Sequence, residues 1–156
     1  MRLIATLPRD RREPGILELL DGDGRRLHRC PCRGKADGAW AVKKGNPSRD
    51  PMRVGGDTPT GGWGETRTDV REPGEGELNM GRWVWWLGPP LGGAPRTGQA
   101  VDAARNGRTQ LAIHAGRGDG DLMATHGCLR IRDRDAATLA DLIGAEQVTV
   151  AIREGV

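Results

Sequence analysis

A mainly β fold is predicted for this chain, on three observations. Its 156 residues include 25 glycines and 10 prolines, a load that helices tolerate poorly and that short strands joined by turns accept. Most apolar residues fall in short runs bounded by Gly, Pro and Asp, as strands do. Sustained helical spacing occurs near the C-terminus. The length is that of one domain able to bury a continuous core, so a single domain over 1–156 is expected. With no Phe and no Tyr, the five Trp must supply all the aromatic packing.

Residues 1–7 suit a first strand. Gly15-Ile16-Leu17-Glu18-Leu19-Leu20, the turn Asp21-Gly22-Asp23-Gly24 and Arg25-Arg26-Leu27-His28 read as a hairpin, because Asp-Gly tolerates left-handed turn geometry. Trp40-Ala41-Val42 reads as a short strand and 45–60 as a loop. A weak strand follows over 61–66, its glycines counting against it. The run 78–87 places Trp83 and Trp85 on one strand face and Trp86 on the other. Such clusters usually build core, and an indole beside a cleft would line it. Residues 88–108 form a long Gly/Pro/Ala loop. Residues 134–143 have helical spacing, with Asp133 or Asp135 as the cap and Gly144 as the stop. Residues 147–152 alternate as a last strand.

The chemistry concentrates in 111–131, LAIHAGRGDGDLMATHGCLRI. An apolar run ends at His114, a Gly/Asp loop follows, and Thr125-His126-Gly127-Cys128-Leu129-Arg130 comes next. Two histidines and a cysteine thus lie within fifteen residues of a chain that has three of each. An imidazole near a thiol can take its proton and make sulfur a nucleophile for acyl transfer. Gly127 permits a sharp turn before Cys128, and consecutive N–H groups in such a turn can face one oxyanion. A free cysteine is also commonly just a small buried residue, but the flanking His-Gly and the upstream His114 favour the nucleophile.

An apolar strand ending in His, about a dozen loop residues, then Ser/Thr-His-Gly-Cys-apolar-Arg/Asn resembles the signature of the L,D-transpeptidase (YkuD-like) catalytic domain. A Gly-rich TPxG turn that precedes the site in that family is matched by Asp57-Thr58-Pro59-Thr60-Gly61. The resemblance is clearest over 40–152. It implies a mainly β, L,D-transpeptidase-like β-sandwich with one short C-terminal helix. It further implies cysteine-dependent acyl transfer on peptidoglycan stem peptides, with Cys128 as nucleophile and His114 as general base; no cofactor is expected.

Within that resemblance, His126 is assigned to site shaping or substrate contact, and Gly127 and Cys128 to oxyanion N–H groups. Thr125 holds the loop. Arg130 either pairs with a substrate carboxylate or forms a structural salt bridge. Ala115 offers no hydroxyl to His114, so a backbone carbonyl or another residue must orient the ring. Residues 88–108 would be a substrate cover or a mobile surface loop. The thioester would pass to an amine, a D-amino acid or water, which separates transpeptidase, exchange enzyme and L,D-carboxypeptidase.

Two other readings stand beside this one. An injected antibacterial effector would turn the same chemistry on a competitor's wall and would come with an immunity protein. An inactive module would only bind wall peptides.

The 24 basic and 21 acidic residues leave a net charge of +3 with no basic run interleaved with aromatics, so nucleic acid is not expected as a partner. No run approaches the length of a membrane span or a secretory h-region. Action on a periplasmic or extracellular substrate would then require a trimmed leader or a specialised export route. The Cys30-Pro31-Cys32 element has no place in the family pattern. With His28 it offers metal ligands, but the spacing is not that of common zinc knuckles and no fourth ligand is near, so no metal is expected. The two thiols are either reduced or a redox-sensitive pair.

Overall fold

The computed structural model describes residues 1–72, 74 and 77–155. The chain is mainly β, with two mixed sheets. Strands β1 (Arg2–Leu7), β2 (Gly15–Leu20), β3 (Arg26–Cys32), β4 (Gly61–Thr66), β7 (Pro95–Thr97) and β10 (Val148–Glu154) form a six-stranded sheet in the order β3-β2-β1-β10-β4-β7. Strands β5 (Thr68–Val70), β6 (Trp83–Leu87), β8 (Leu111–His114) and β9 (Leu129–Arg130) form a second sheet in that order. β1 runs parallel to β10 and β8 parallel to β9. The helices are α1 (Gly38–Lys43), α2 (Glu77–Met80), α3 (Gln99–Arg105) and α4 (Asp133–Ile143).

Strand alternation decides what is buried. Leu3, Ala5 and Leu7 of β1, Leu17 and Leu19 of β2, and Val148, Val150 and Ile152 of β10 are all buried. They share one apolar cluster with Trp85, Ile113 and Leu129 of the smaller sheet and with Ala136, Leu139 and Ile143 of α4. The spacing of those three α4 residues is the helical period seen in the sequence. Trp83 packs against the same cluster, whereas Trp86 packs on the opposite face with Val84, Ala112 and Cys128. The expected split of the tryptophans therefore holds. The smaller sheet has one face in the main core and the other toward Cys128.

Several local expectations are corrected. Trp40-Ala41-Val42 is helical, within α1. The Asp37 carboxylate accepts from the Trp40 amide at 2.8 Å and caps the turn, a start signal that outweighs a three-residue apolar run. The span 78–87 divides into α2 and β6. The segment 88–108 is not one long loop, since Pro95–Thr97 pairs with β4 and Gln99–Arg105 is helical. Gly61 makes that pairing possible: its φ is 137°, and a Cβ there would stand 2.1 Å from the Thr97 carbonyl oxygen. Besides the C-terminal helix there are three further short ones among the described residues.

β3 extends to Cys32, so Cys30 and Cys32 lie in an edge strand with Pro31 opposite Ile16. An edge position tolerates a residue without an N–H. Both thiols are free and buried. The start of α4 also differs from expectation: Asp133 makes no cap bond, and its carboxylate instead accepts from the Gly116 and Gly118 amides at 2.7 and 3.0 Å. In return, Asp119 in that loop accepts from the Arg134 amide at 2.9 Å. Gly144 ends the helix as expected, at φ 58°. No helix among the described residues is long and apolar enough to cross a membrane.

Candidate active site

β8 carries Leu111 and Ile113 into the main core. By alternation, Ala112 and His114 face the other way. The parallel register sets Ile113 beside Leu129 and His114 beside Arg130, which brings Cys128, one residue before β9, alongside Ala112. Sulfur and imidazole thus lie toward the same face of the smaller sheet, His114 at the end of β8 and Cys128 at the entry to β9, one alternation apart. That face borders a cleft of about 920 Å³ lined by His114, Cys128, Thr125, His126 and Arg130. The cleft lies within the size range of small-ligand sites.

His114 is 3% exposed. Its Nδ1 lies 2.7 Å from the Ala115 carbonyl oxygen, an atom that can only accept. The proton therefore resides on Nδ1, and Nε2 carries the basic lone pair. A backbone carbonyl is thus the partner that orients the ring. Burial pulls the His114 pKa down to about 4, against the opposing pull of the Ala115 carbonyl; Arg130 and Arg71 lower it further. At neutral pH the imidazole is uncharged and free to accept a proton.

The Cys128 thiol lies 3.8 Å from the Gln110 carbonyl oxygen and donates to it. Burial raises its pKa, and a backbone hydrogen bond from Ala112 with the nearby Arg108 and Arg130 charges opposes that rise. Both shifts favour a resting thiol beside a neutral imidazole over a preformed thiolate–imidazolium pair.

The loop before the sulfur is tightly held. The Thr125 hydroxyl donates to the Cys128 carbonyl at 2.8 Å and accepts from the Gly127 amide at 3.0 Å, the loop-holding role expected of it. The Gly127 amide is thereby spent internally, so of the two expected oxyanion donors only the Cys128 amide remains. Gly127 has φ 111°, and a Cβ on it would stand 2.2 Å from Arg108 Nη2 and 2.7 Å from the Gly56 carbonyl. Both the turn and this close approach require glycine. The TPxG-like turn buttresses the same loop, with Thr58 Oγ1 donating to the Gly127 carbonyl at 2.9 Å. Asp57 in turn accepts from the Ala36 amide at 2.7 Å.

Arg130 is buried and its guanidinium is spent on backbone. It donates to the carbonyls of Ala115 and Gly116, both at 2.8 Å, Met123 at 3.1 Å and Asn79 at 3.2 Å. Its partners are carbonyls rather than carboxylates, and one of them also orients His114. His126 is exposed and stacks on Trp40, with ring centroids 3.9 Å apart and planes 8° from parallel. Lys44 Nζ lies 4.5 Å from the same indole ring.

Sequence reasoning missed two contributors. Arg108 closes the segment 88–108 and reaches back to the carbonyls of Pro51, Asp57 and Gly56. Burial lowers its pKa to about 10, with Cys128 and Asp57 opposing that fall. It is a cation held against the loop that carries Cys128, and nothing in the local sequence marks it. The other is 33–37, between β3 and α1. Its backbone pairs with the site, Arg33 exchanging two 2.9 Å hydrogen bonds with Arg130 and the Asp37 amide donating to the Thr125 carbonyl at 2.8 Å. Only Gly107 and Arg108 of 88–108 line the cleft.

The fold is shared with solved structures. Bd1075 from Bdellovibrio bacteriovorus matches 97% of this chain with a TM-score of 0.56 and 15% identity, over 47% of its own length. The helical cell shape determining protein Pgp2 from Campylobacter jejuni matches 99% of this chain with a TM-score of 0.58 and 14% identity, over 48% of its own length. The chain therefore spans about half the length of either protein. At these identities the likeness is one of fold. No family model matches the chain, and no curated protein matches it.

Proposed function

We propose that this chain is an L,D-transpeptidase-like cysteine acyltransferase acting on peptidoglycan stem peptides. The observation that carries the reading is the placement of Cys128 and His114 on one sheet face at the cleft, with the Ala115 carbonyl fixing the proton on Nδ1. The sequence resemblance and the shared fold with a cell shape determining protein support the substrate class. The site of action would then be the periplasm or the outside of the cell, wherever that polymer lies.

In this mechanism Cys128 sulfur attacks the carbonyl of the diamino acid at the third stem position while its proton passes to His114 Nε2. The C–S bond forms, and the negative charge on oxygen is met by the Cys128 amide beside the Arg108 cation. Collapse breaks the C–N bond, and the departing D-amino acid takes the proton from His114. A thioester remains. An incoming amine or water gives its proton to the same Nε2 as it attacks the thioester carbonyl; the C–S bond then breaks and the Cys128 sulfur takes that proton back from His114, restoring the thiol and the neutral imidazole. The Trp40–His126 stack forms a wall on which a stem peptide would lie.

The test is incubation with purified muropeptides followed by mass analysis. Loss of terminal D-alanine or formation of crosslinked dimers, abolished by Cys128→Ala, is the expected result. Release that persists in Cys128→Ala would overturn the reading. Carbapenem labelling separates the enzyme from an inactive binding module, since a module without a reactive thiol forms no adduct at Cys128.

A further inference from the structure

The Cys30-Pro31-Cys32 element takes no part in the chemistry above, and the structure gives it different company from that suggested by its spacing. His28 and Cys30 alternate on one face of β3, and Asp135 from the first turn of α4 faces them. One ligand atom from each of the three lies within 4.8 Å of the other two. His28 Nε2 and Asp135 Oδ1 are 3.4 Å apart, yet His28 Nε2 and Asp135 Oδ2 are both buried without any hydrogen-bond partner. Asp135 is 8% exposed and Cys30 2%.

Buried polar atoms are normally paired, and each one left unpaired costs about 1–3 kcal/mol. An unpartnered imidazole nitrogen and an unpartnered carboxylate oxygen, on two side chains that meet beside a thiol, form a set that lacks a central partner. Bonds of about 2.0–2.1 Å from zinc to nitrogen and oxygen, at a tetrahedral angle, place a ligating nitrogen and a ligating carboxylate oxygen about 3.3 Å apart. The 3.4 Å between His28 Nε2 and Asp135 Oδ1 matches that edge.

We propose that His28, Cys30 and Asp135 bind a zinc-class divalent cation that pins the first turn of α4 to the edge strand β3. One imidazole nitrogen, one thiolate and one carboxylate make a borderline-soft donor set suited to such a cation. The Cys30 thiol releases its proton to solvent as the metal–sulfur bond forms. Thiolate and carboxylate then balance the dication, so the buried site carries no net charge. The nearby Arg132 directs its Nε to the Gly120 carbonyl at 3.2 Å and keeps its own partner. The fourth position opens on the His28 side, where that side chain is 21% exposed. The cation would brace the cleft from behind: β3 runs on into 33–37, which pairs with the nucleophile loop, while α4 holds the loop after His114 through Asp133.

The test uses the full-length, metal-stripped chain carrying Cys128→Ala, which removes the cleft thiol from consideration. Titration with cobalt(II) should saturate at one equivalent with a thiolate-to-cobalt charge-transfer band. Cys30→Ser should abolish that band, Cys32→Ser should keep it, and His28→Gln should weaken the affinity about tenfold or more. Zinc should bleach the cobalt spectrum and raise the melting temperature, and the rise should vanish in His28→Gln. Absence of the band, or a band that survives Cys30→Ser, would overturn the proposal. Should Cys30→Ser fail to fold, His28→Gln decides alone, because that side chain is partly exposed, and an unchanged cobalt affinity there would overturn it as well.

Discussion

The Thr58 hydroxyl donates to the Gly127 carbonyl at 2.9 Å across 69 residues of sequence, and so fixes the peptide immediately before Cys128. Thr58→Val keeps the shape and removes the donor, leaving a buried carbonyl unpaired. The expected loss is about 1–3 kcal/mol in urea unfolding, with a slower acylation rate, and Thr58→Ser should recover most of both. A Thr58→Val protein as stable and as fast as the parent would mean that the TPxG-like turn does not hold the nucleophile loop.

Stability should depend on His114 over a defined pH window. The folded value, about 4, lies below the ordinary 6.5, so between these limits the unfolded chain binds a proton that the folded chain does not. Acidification through this window therefore favours unfolding, by up to about 3 kcal/mol at its lower end. His114→Gln should show a shallower decline between pH 6.5 and 4 than the parent. Identical acid limbs in the two proteins would show that the ring is not buried in its neutral form.

Arg130 supplies the next test, because its donors are shared among four carbonyls. Arg130→Lys keeps the charge but cannot reproduce the planar fork. A loss of at least about 2 kcal/mol in stability is expected, with a fall in kcat, since the Ala115 carbonyl that positions His114 loses its second partner. A higher KM with unchanged stability and kcat would instead place the guanidinium on a substrate carboxylate.

Trp40 stacks on His126 at the exposed edge of the cleft and touches no proposed reacting atom. Trp40→Ala should raise KM about 3- to 10-fold, the size of a lost aromatic pair, with a smaller change in kcat. Equal loss in kcat and kcat/KM would place the indole in transition-state stabilisation.

The geometry of the loop before Cys128 was legible in sequence because its residues are contiguous: Thr125 closes the turn by bonding the Gly127 amide and the Cys128 carbonyl. The sheet pattern was legible where alternation runs uninterrupted, as in β1, β2 and β10. Trp40-Ala41-Val42 was misread because an apolar triplet fits a strand as well as a helix, and the deciding signal is the capping Asp37 outside it. The strand and helix within 88–108 were hidden by glycines and prolines that read as loop until Gly61 is seen to admit β7 alongside β4. Arg108 and the unpaired atoms of His28 and Asp135 were invisible for a different reason. Arg108 bonds to carbonyls far back in the chain, and His28 and Asp135 are far apart in sequence, so only the fold brings these groups together.

The central claim is that Cys128 becomes acylated with His114 as its proton acceptor. Intact-protein mass after an acid quench, with a tetrapeptide stem as donor, tests it most directly. The account predicts an adduct on Cys128 equal to the stem less its terminal D-alanine, absent in Cys128→Ala and forming about a hundredfold or more slowly in His114→Ala. An unmodified parent protein that nevertheless turns the stem over, or an adduct that forms equally fast without the imidazole, would contradict it.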